Sequence, residues 1–135
     1  MAKKPNKIYV AKNKAFLEQL KNEEGVISLP EGIFYKIIKS GSGAVSPKLN
    51  NVVSVHYKGS LINGYVFDST ENNGYPETFR LREVIDGWQI VMQKMCVGDR
   101  WIMYLPSDYA YGNQSLDDIP GGSTLIFEVE LLAIN

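Results

Sequence analysis

One stretch of this chain changes period, and that change limits the folds open to it. In REVIDGWQIVMQKM (Arg82–Met95), Trp88, Val91, Met92 and Met95 recur at i, i+3, i+4 and i+7, one face of a helix two to three turns long. Everywhere else after Gly25 the apolar residues come in short runs parted by turn residues, as antiparallel strands do. The spacing predicts α+β architecture: an antiparallel sheet of five or six strands whose concave apolar face wraps a short central helix.

VISL, the turn Pro30-Glu31-Gly32 and FYKII predict a hairpin or a pair of connected short strands over Val26–Ile38. Ser40–Asn51, rich in glycine, serine and asparagine, reads as a loop; with a strand after it, it is not a phosphate cradle. Val52–Leu61 places Val53, Val55 and Tyr57 on one face and Ser54, His56 and Lys58 on the other. Asn63-Gly64 is a tight-turn dipeptide, and Tyr65–Asp68 is the return strand. Phe79–Leu81 is a further short strand. In Arg100–Leu105 the inward set is Trp101, Met103 and Leu105, and in Ser123–Ile134 it is Leu125, Phe127, Val129 and Leu131.

Ahead of the sheet, Tyr9–Glu24 is rich in helix formers and Gly25 stands where a helix stops. Its narrow stripe, Val10, Phe16, Leu17 and Leu20, either docks on the domain or pairs with a second copy. The division expected is residues 1–25 as a helical extension and 26–135 as the main domain. With 135 residues there is room for one core and little more.

Composition removes several function classes. Fourteen basic and fifteen acidic side chains leave a formal charge of -1, so no field draws the chain to nucleic acid. MAKKPNK lacks the apolar segment of a signal peptide and no run is long enough for a membrane span, which predicts a cytoplasmic chain, or a periplasmic one if this is a processed form. The lone Cys96 cannot form an internal disulfide and reads as a small buried residue. His56, the single histidine, faces away from the core side, which disfavours a nucleophile triad. Asp108, Asp117 and Asp118 follow no calcium-loop pattern, so neither a metal nor another cofactor is expected.

Without nucleophile, metal cage or cofactor fingerprint, the chain is either a binding module or a catalyst that breaks no covalent bond. Prolyl isomerisation is such a reaction, because its barrier of roughly 18–20 kcal/mol is amide resonance alone.

Six blocks in order carry a family likeness: SVHYKGSL (Ser54–Leu61), YVFDST (Tyr65–Thr70), EVIDGW (Glu83–Trp88), MCVGDR (Met95–Arg100), LPSDYAYG (Leu105–Gly112) and IPGGSTLIFEVELL (Ile119–Leu132). They resemble FKBP-type peptidyl-prolyl cis-trans isomerases, and the helix before LPEGIFYKII is similar to the bacterial macrophage-infectivity-potentiator branch. The resemblance implies an FKBP-like fold and an aromatic cup of Tyr57, Phe67, Trp88, Tyr111 and Phe127, walled by Val84, Ile85 and Ile119. It implies that Trp88 lies under a proline ring, and that the Ile85 N–H and the Tyr111 hydroxyl donate to ligand carbonyls. Asp68 either contributes negative potential at the cup's edge or is an ordinary turn carboxylate. Catalytic weight falls on Asp68, Trp88 and Tyr111.

The implied partners are proline-containing peptides and unfolded protein clients, with tacrolimus or rapamycin as inhibitors, and the implied assembly is a monomer or a helix-mediated homodimer. Glu77 stands where many relatives carry another aromatic, and the loop Asn113–Asp118 lacks a histidine often found there. Asp117 and Asp118 are expected to set two carboxylates at the rim, against acidic peptides. Two alternatives to the isomerase stay open: a proline-peptide binding or chaperone module with little turnover, and a scaffold acting through the N-terminal helix or the outward Ile102 and Tyr104.

Overall fold

A computed structural model describes residues 5–135, the side chain at 72 aside. The opening residues MAKK, part of the stretch read for a leader, lie outside them. Helix α1 runs Lys7–Leu20 and begins earlier than periodicity suggests, because Asn6 caps it: its Oδ1 accepts the N–H groups of Ile8 at 2.9 Å and Tyr9 at 3.0 Å. It also ends earlier, as tight turns from Gln19 to Glu23 swing the chain into the sheet.

Strands β1 (Val26–Ser28) and β2 (Phe34–Lys39) form the expected hairpin. After them come β3 (Val52–Ser60), β4 (Val66–Ser69), β5 (Glu77–Arg80), helix α2 (Asp86–Met92), β6 (Arg100–Leu105) and β7 (Leu125–Ile134). The described residues thus hold seven strands, where five or six were expected. The short β1 and β5, marked in sequence by VISL and Phe79–Leu81, are each laddered along their length and complete the count. The sheet order is β1-β2-β6-β7-β3-β4, every pairing antiparallel, with β5 also on β3.

One edge of β3 is shared between two partners. Residues Val52–Val55 pair with β5, whereas Lys58–Ser60 pair with β4. His56 and Tyr57 fall in the gap between the two and are laddered only to β7.

The inward residues form one core. Val53, Val55, Trp101, Met103, Leu125, Phe127, Val129 and Leu131 from the sheet pack with Trp88, Val91, Met92 and Met95, all buried. Helix α2 comes close to β6 because residue 87 is glycine: a Cβ there would lie 2.5 Å from a Leu105 methyl. Its two turns are fewer than the periodic stretch allows, since the chain leaves the helix at Gln93 and Met95 reaches the core from the turn beyond.

Helix α1 lies across the other side of β6 and β7. Phe16, Leu17 and Leu20 cover Phe34, Ile102, Tyr104 and Ile126. Asn13 is buried and its Oδ1 accepts the Thr124 N–H at 2.7 Å, while the Tyr9 hydroxyl meets Ser123 Oγ at 2.6 Å. Tyr104 is therefore only 9% exposed, and the outward surface read from Ile102 and Tyr104 is the seat of α1. Alternation says which way a residue faces but not what covers it.

Candidate active site

Trp88 stands in the first turn of α2 at the base of a cavity of about 350 Å3. Three rings meet it nearly at right angles. Tyr57 from β3 and Phe127 from β7 each have centroids 5.3 Å away, at 84° and 87°, and Phe79 from β5 is 5.8 Å away at 83°. Edge-to-face contacts of this kind suit the quadrupoles of the rings and hold the indole in one orientation. Phe67 from β4 packs on Phe127 at 5.6 Å and 88° and closes one side.

These rings need Gly59. A Cβ at that position would come within 2.7 Å of both Phe127 and Phe67. The glycine in SVHYKGSL is thus the floor on which two cup aromatics rest.

Val84 and Ile85 line the cavity from the turn leading into α2. Gln89 braces that turn, its Nε2 donating to the carbonyls of Val84 at 2.7 Å and Arg82 at 3.3 Å. Among the described residues the Ile85 N–H reaches no acceptor. Tyr111 comes after the short turn Ser107–Tyr109 and lines the cavity, 37% exposed, with no partner for its hydroxyl among the described residues. The buried Trp88 Nε1 is likewise without a partner there.

Asp68 lines the cavity as well, and its Oδ2 accepts the Tyr57 hydroxyl at 2.5 Å. Burial, then the hydrogen bond and charge of Asp68, then the more distant Glu77, push the Tyr57 phenol above its ordinary value. Tyr57 therefore stays protonated and donates to the carboxylate. That carboxylate is held in place at the cavity edge, more than a free turn residue would be.

Eight of the nine residues carried over from the family likeness line this one cavity: Tyr57, Phe67, Asp68, Val84, Ile85, Trp88, Tyr111 and Phe127. Ile119 does not. It is buried in the core, with its backbone paired to Leu116 in both directions. Asp117 and Asp118 do not line the cavity either, and Asp118 accepts the Tyr65 hydroxyl at 2.7 Å. The carboxylates on the cavity are Asp68 and Glu83.

Phe79 and Glu83 have no site role on sequence grounds. Phe79 pairs with Val53 in the β3–β5 register, and only that pairing brings its ring to Trp88. Glu83 immediately precedes Val84 and Ile85, so its adjacency is the available signal.

Elsewhere the chemistry is sparse. His56 Nδ1 lies 2.9 Å from Thr70 Oγ1, in a second cavity shared with Lys58, Arg100, Glu128 and Glu130. Cys96, expected as a small buried residue, is half-buried, with Ser46 Oγ 3.6 Å away. Among the described residues no three His, Cys, Asp or Glu side chains gather as metal ligands, and no helix is long and apolar enough to cross a membrane.

A seven-stranded antiparallel sheet packed on a short helix, with an aromatic cup at that helix's first turn, defines the FKBP-like α+β class. The chain belongs to the FKBP-type peptidyl-prolyl cis-trans isomerase family, whose model matches residues 43–132. It is 44% identical over 125 residues to the outer membrane protein MIP of Legionella longbeachae, covering 92% of this chain and 53% of that protein. It is 44% identical over 124 residues to the peptidyl-prolyl cis-trans isomerase Mip of Coxiella burnetii, covering 91% and 54%. The chain thus spans about half the length of these curated relatives.

Two crystal structures are similar over nearly all of this chain. FkpA from Escherichia coli matches with a TM-score of 0.90 at 37% identity, over 95% of this chain and 60% of that one. A peptidyl-prolyl cis-trans isomerase from Pseudomonas syringae matches with a TM-score of 0.88 at 34% identity, over 100% and 99%.

Proposed function

We propose that the cup catalyses cis-trans isomerisation of X-Pro bonds by non-covalent means, and so assists protein folding. One observation carries the reading: an aromatic cavity holds two hydrogen-bond donors, the Ile85 N–H and the Tyr111 hydroxyl, that lack acceptors among the described residues. The proline ring rests on Trp88 between Tyr57 and Phe127, and the two donors take carbonyls of the flanking chain. Stripping water from the imide favours the twisted form, which is less polar than the planar one. Each tenfold gain in rate needs only about 1.4 kcal/mol of such preference. Asp68, oriented by Tyr57, adds fixed negative potential beside the nitrogen; no proton has to move.

Clients are proline-containing peptides and unfolded chains, and tacrolimus and rapamycin compete for the cup. Docking of Phe16, Leu17 and Leu20 on the sheet uses the stripe that a helix-mediated homodimer would need, which favours a monomer. Within the extension at 1–25, helix α1 is then the part clamped to the isomerase domain at 26–135. Between cytoplasm and periplasm, the name of the Legionella relative, an outer membrane protein, supports the periplasmic side; fractionation decides it.

The test is a proline-isomer assay on short X-Pro peptides, with and without rapamycin, comparing the natural chain with Trp88→Leu and Tyr111→Phe. Rapamycin-sensitive acceleration that falls in both variants is expected. A rate no faster than the uncatalysed one would give the site to the binding-module alternative.

A further inference from the structure

Among the described residues, the charged side chains that line the cup are all of one sign. The charged residues described on the cavity wall are Asp68 and Glu83, both acidic, although the chain as a whole is nearly balanced at fourteen basic to fifteen acidic. A third carboxylate, Glu77, stands on β5 near enough for its charge to act on the Tyr57 phenol.

Among the described residues no cation pairs with them. The ion pairs there are Lys21 with Glu18 and Arg100 with Glu128, both away from the cup. The nearest basic residues in sequence turn elsewhere. Arg80 donates to the Asn50 carbonyl at 2.8 Å and Arg82 to Asn50 Oδ1 at 3.0 Å, while Lys58 lines the other cavity. Asp68 has the Tyr57 hydroxyl as its partner, a neutral donor that leaves the negative charge in place.

A one-signed cluster on a low-dielectric aromatic wall concentrates potential where a ligand sits, and unpaired carboxylates there favour a cationic neighbour. We infer that this site selects peptides in which a lysine or arginine flanks the proline, over the same peptides carrying glutamate. The inference rests on the proposed X-Pro reading and adds to it the class of flanking residue. Selection is by side-chain charge, distinct from the apolar grip on the ring. It also moves the acidic element from the loop Asn113–Asp118, where sequence places it, to the mouth formed by β4, β5 and the turn before α2.

The experiment compares peptides that differ only beside the proline, with lysine, leucine or glutamate before it and, in a second set, after it. With the full chain at low salt, kcat/KM for lysine over glutamate is expected at roughly fivefold to tenfold, since a charge pair at the mouth is only partly screened. The ratio should shrink toward unity as ionic strength rises from about 0.01 to about 0.5 M and the screening length falls below the pair distance. Glu83→Gln and Glu77→Gln should each lower it at low salt. Because the ratio is read within each variant, a change in overall rate does not affect it.

A lysine-to-glutamate ratio of one or less, a ratio insensitive to salt, or one unmoved when Glu83→Gln and Glu77→Gln are combined in one chain would overturn the inference. Binding of the same peptides, monitored by tryptophan fluorescence, supplies the ratio even where turnover is nil. Loss of catalysis and loss of charge selection are then separate results.

Discussion

The hydroxyl of Thr70 serves both backbone groups of Tyr57: it lies 3.2 Å from the Tyr57 nitrogen, from which it accepts, and 3.4 Å from the Tyr57 carbonyl, to which it donates. This happens where the edge of β3 passes from β5 to β4, so a side chain, only 2% exposed, stands in for a missing strand. The same oxygen lies 2.9 Å from His56 Nδ1. One hydroxyl proton and two lone pairs satisfy all three neighbours when neutral His56 carries its proton on Nδ1.

Thr70→Val leaves the Tyr57 N–H and carbonyl without partners and is expected to cost about 1–3 kcal/mol in denaturant unfolding. It should also loosen Tyr57 against Asp68 and lower kcat/KM. Thr70→Ser keeps the oxygen and should recover most of both. If valine and serine behave alike, the hydroxyl is not what holds Tyr57.

Alkaline pH tests the burial and hydrogen bonding of the Tyr57 phenol. The Tyr57 phenol is raised in the folded chain, by burial first and by Asp68 second. The unfolded chain then loses its phenolic proton before the folded one. The contribution to stability is therefore complete below pH ~10, the ordinary tyrosine value, and declines as pH rises from there toward the folded value. Tyr57→Phe should flatten the fall of unfolding free energy above pH ~10 relative to the natural chain. Tyr65, raised by its bond to Asp118, and Tyr104, raised by burial, add slopes of the same sign, so the comparison is a difference between variants.

Clamping of α1 is tested by its two kinds of contact. Leu20→Ala opens the cluster with Phe34 and Tyr104 and is expected to cost about 2–4 kcal/mol. Asn13→Ala strands the buried Thr124 N–H, for about 1–3 kcal/mol. Gel filtration of the natural chain should give a monomer; a dimer that is lost with residues 1–24 would restore the self-pairing alternative.

Gly59→Ala tests the floor under the cup. The added methyl meets Phe67 and Phe127 at 2.7 Å, and both rings must tilt into the cavity. Stability should fall by about 1–3 kcal/mol, and KM for X-Pro peptides should rise by more than kcat falls. An unchanged KM would mean that the two rings do not enclose the bound proline.

Much of the architecture is legible in the order of residues. Alternation alone places Val53, Val55, Met103, Val129 and Leu131 inward, the single change of period does so for Trp88, Val91, Met92 and Met95, and all are buried. The cup residues are legible through ordered blocks, and eight of the residues so marked meet at one cavity. Ile119 escapes because the Leu116–Ile119 bridge turns it into the core. Phe79 escapes because a four-residue strand has no periodicity to reveal its partner. The seat of α1 on Tyr104 is not readable either, since a narrow apolar stripe fits a sheet and a second helix equally well.

By itself, then, the order of residues determined the period of each segment and hence which side chains seek the core, because burial of apolar surface acts on local spacing. The tertiary structure decided the registers: the split edge of β3, the bond from Tyr57 to Asp68, and the turn of Arg80 and Arg82 toward Asn50 that leaves the mouth acidic. Those depend on which distant strands close against each other. Closure is settled by the packing of the whole core, and no short window of sequence contains it.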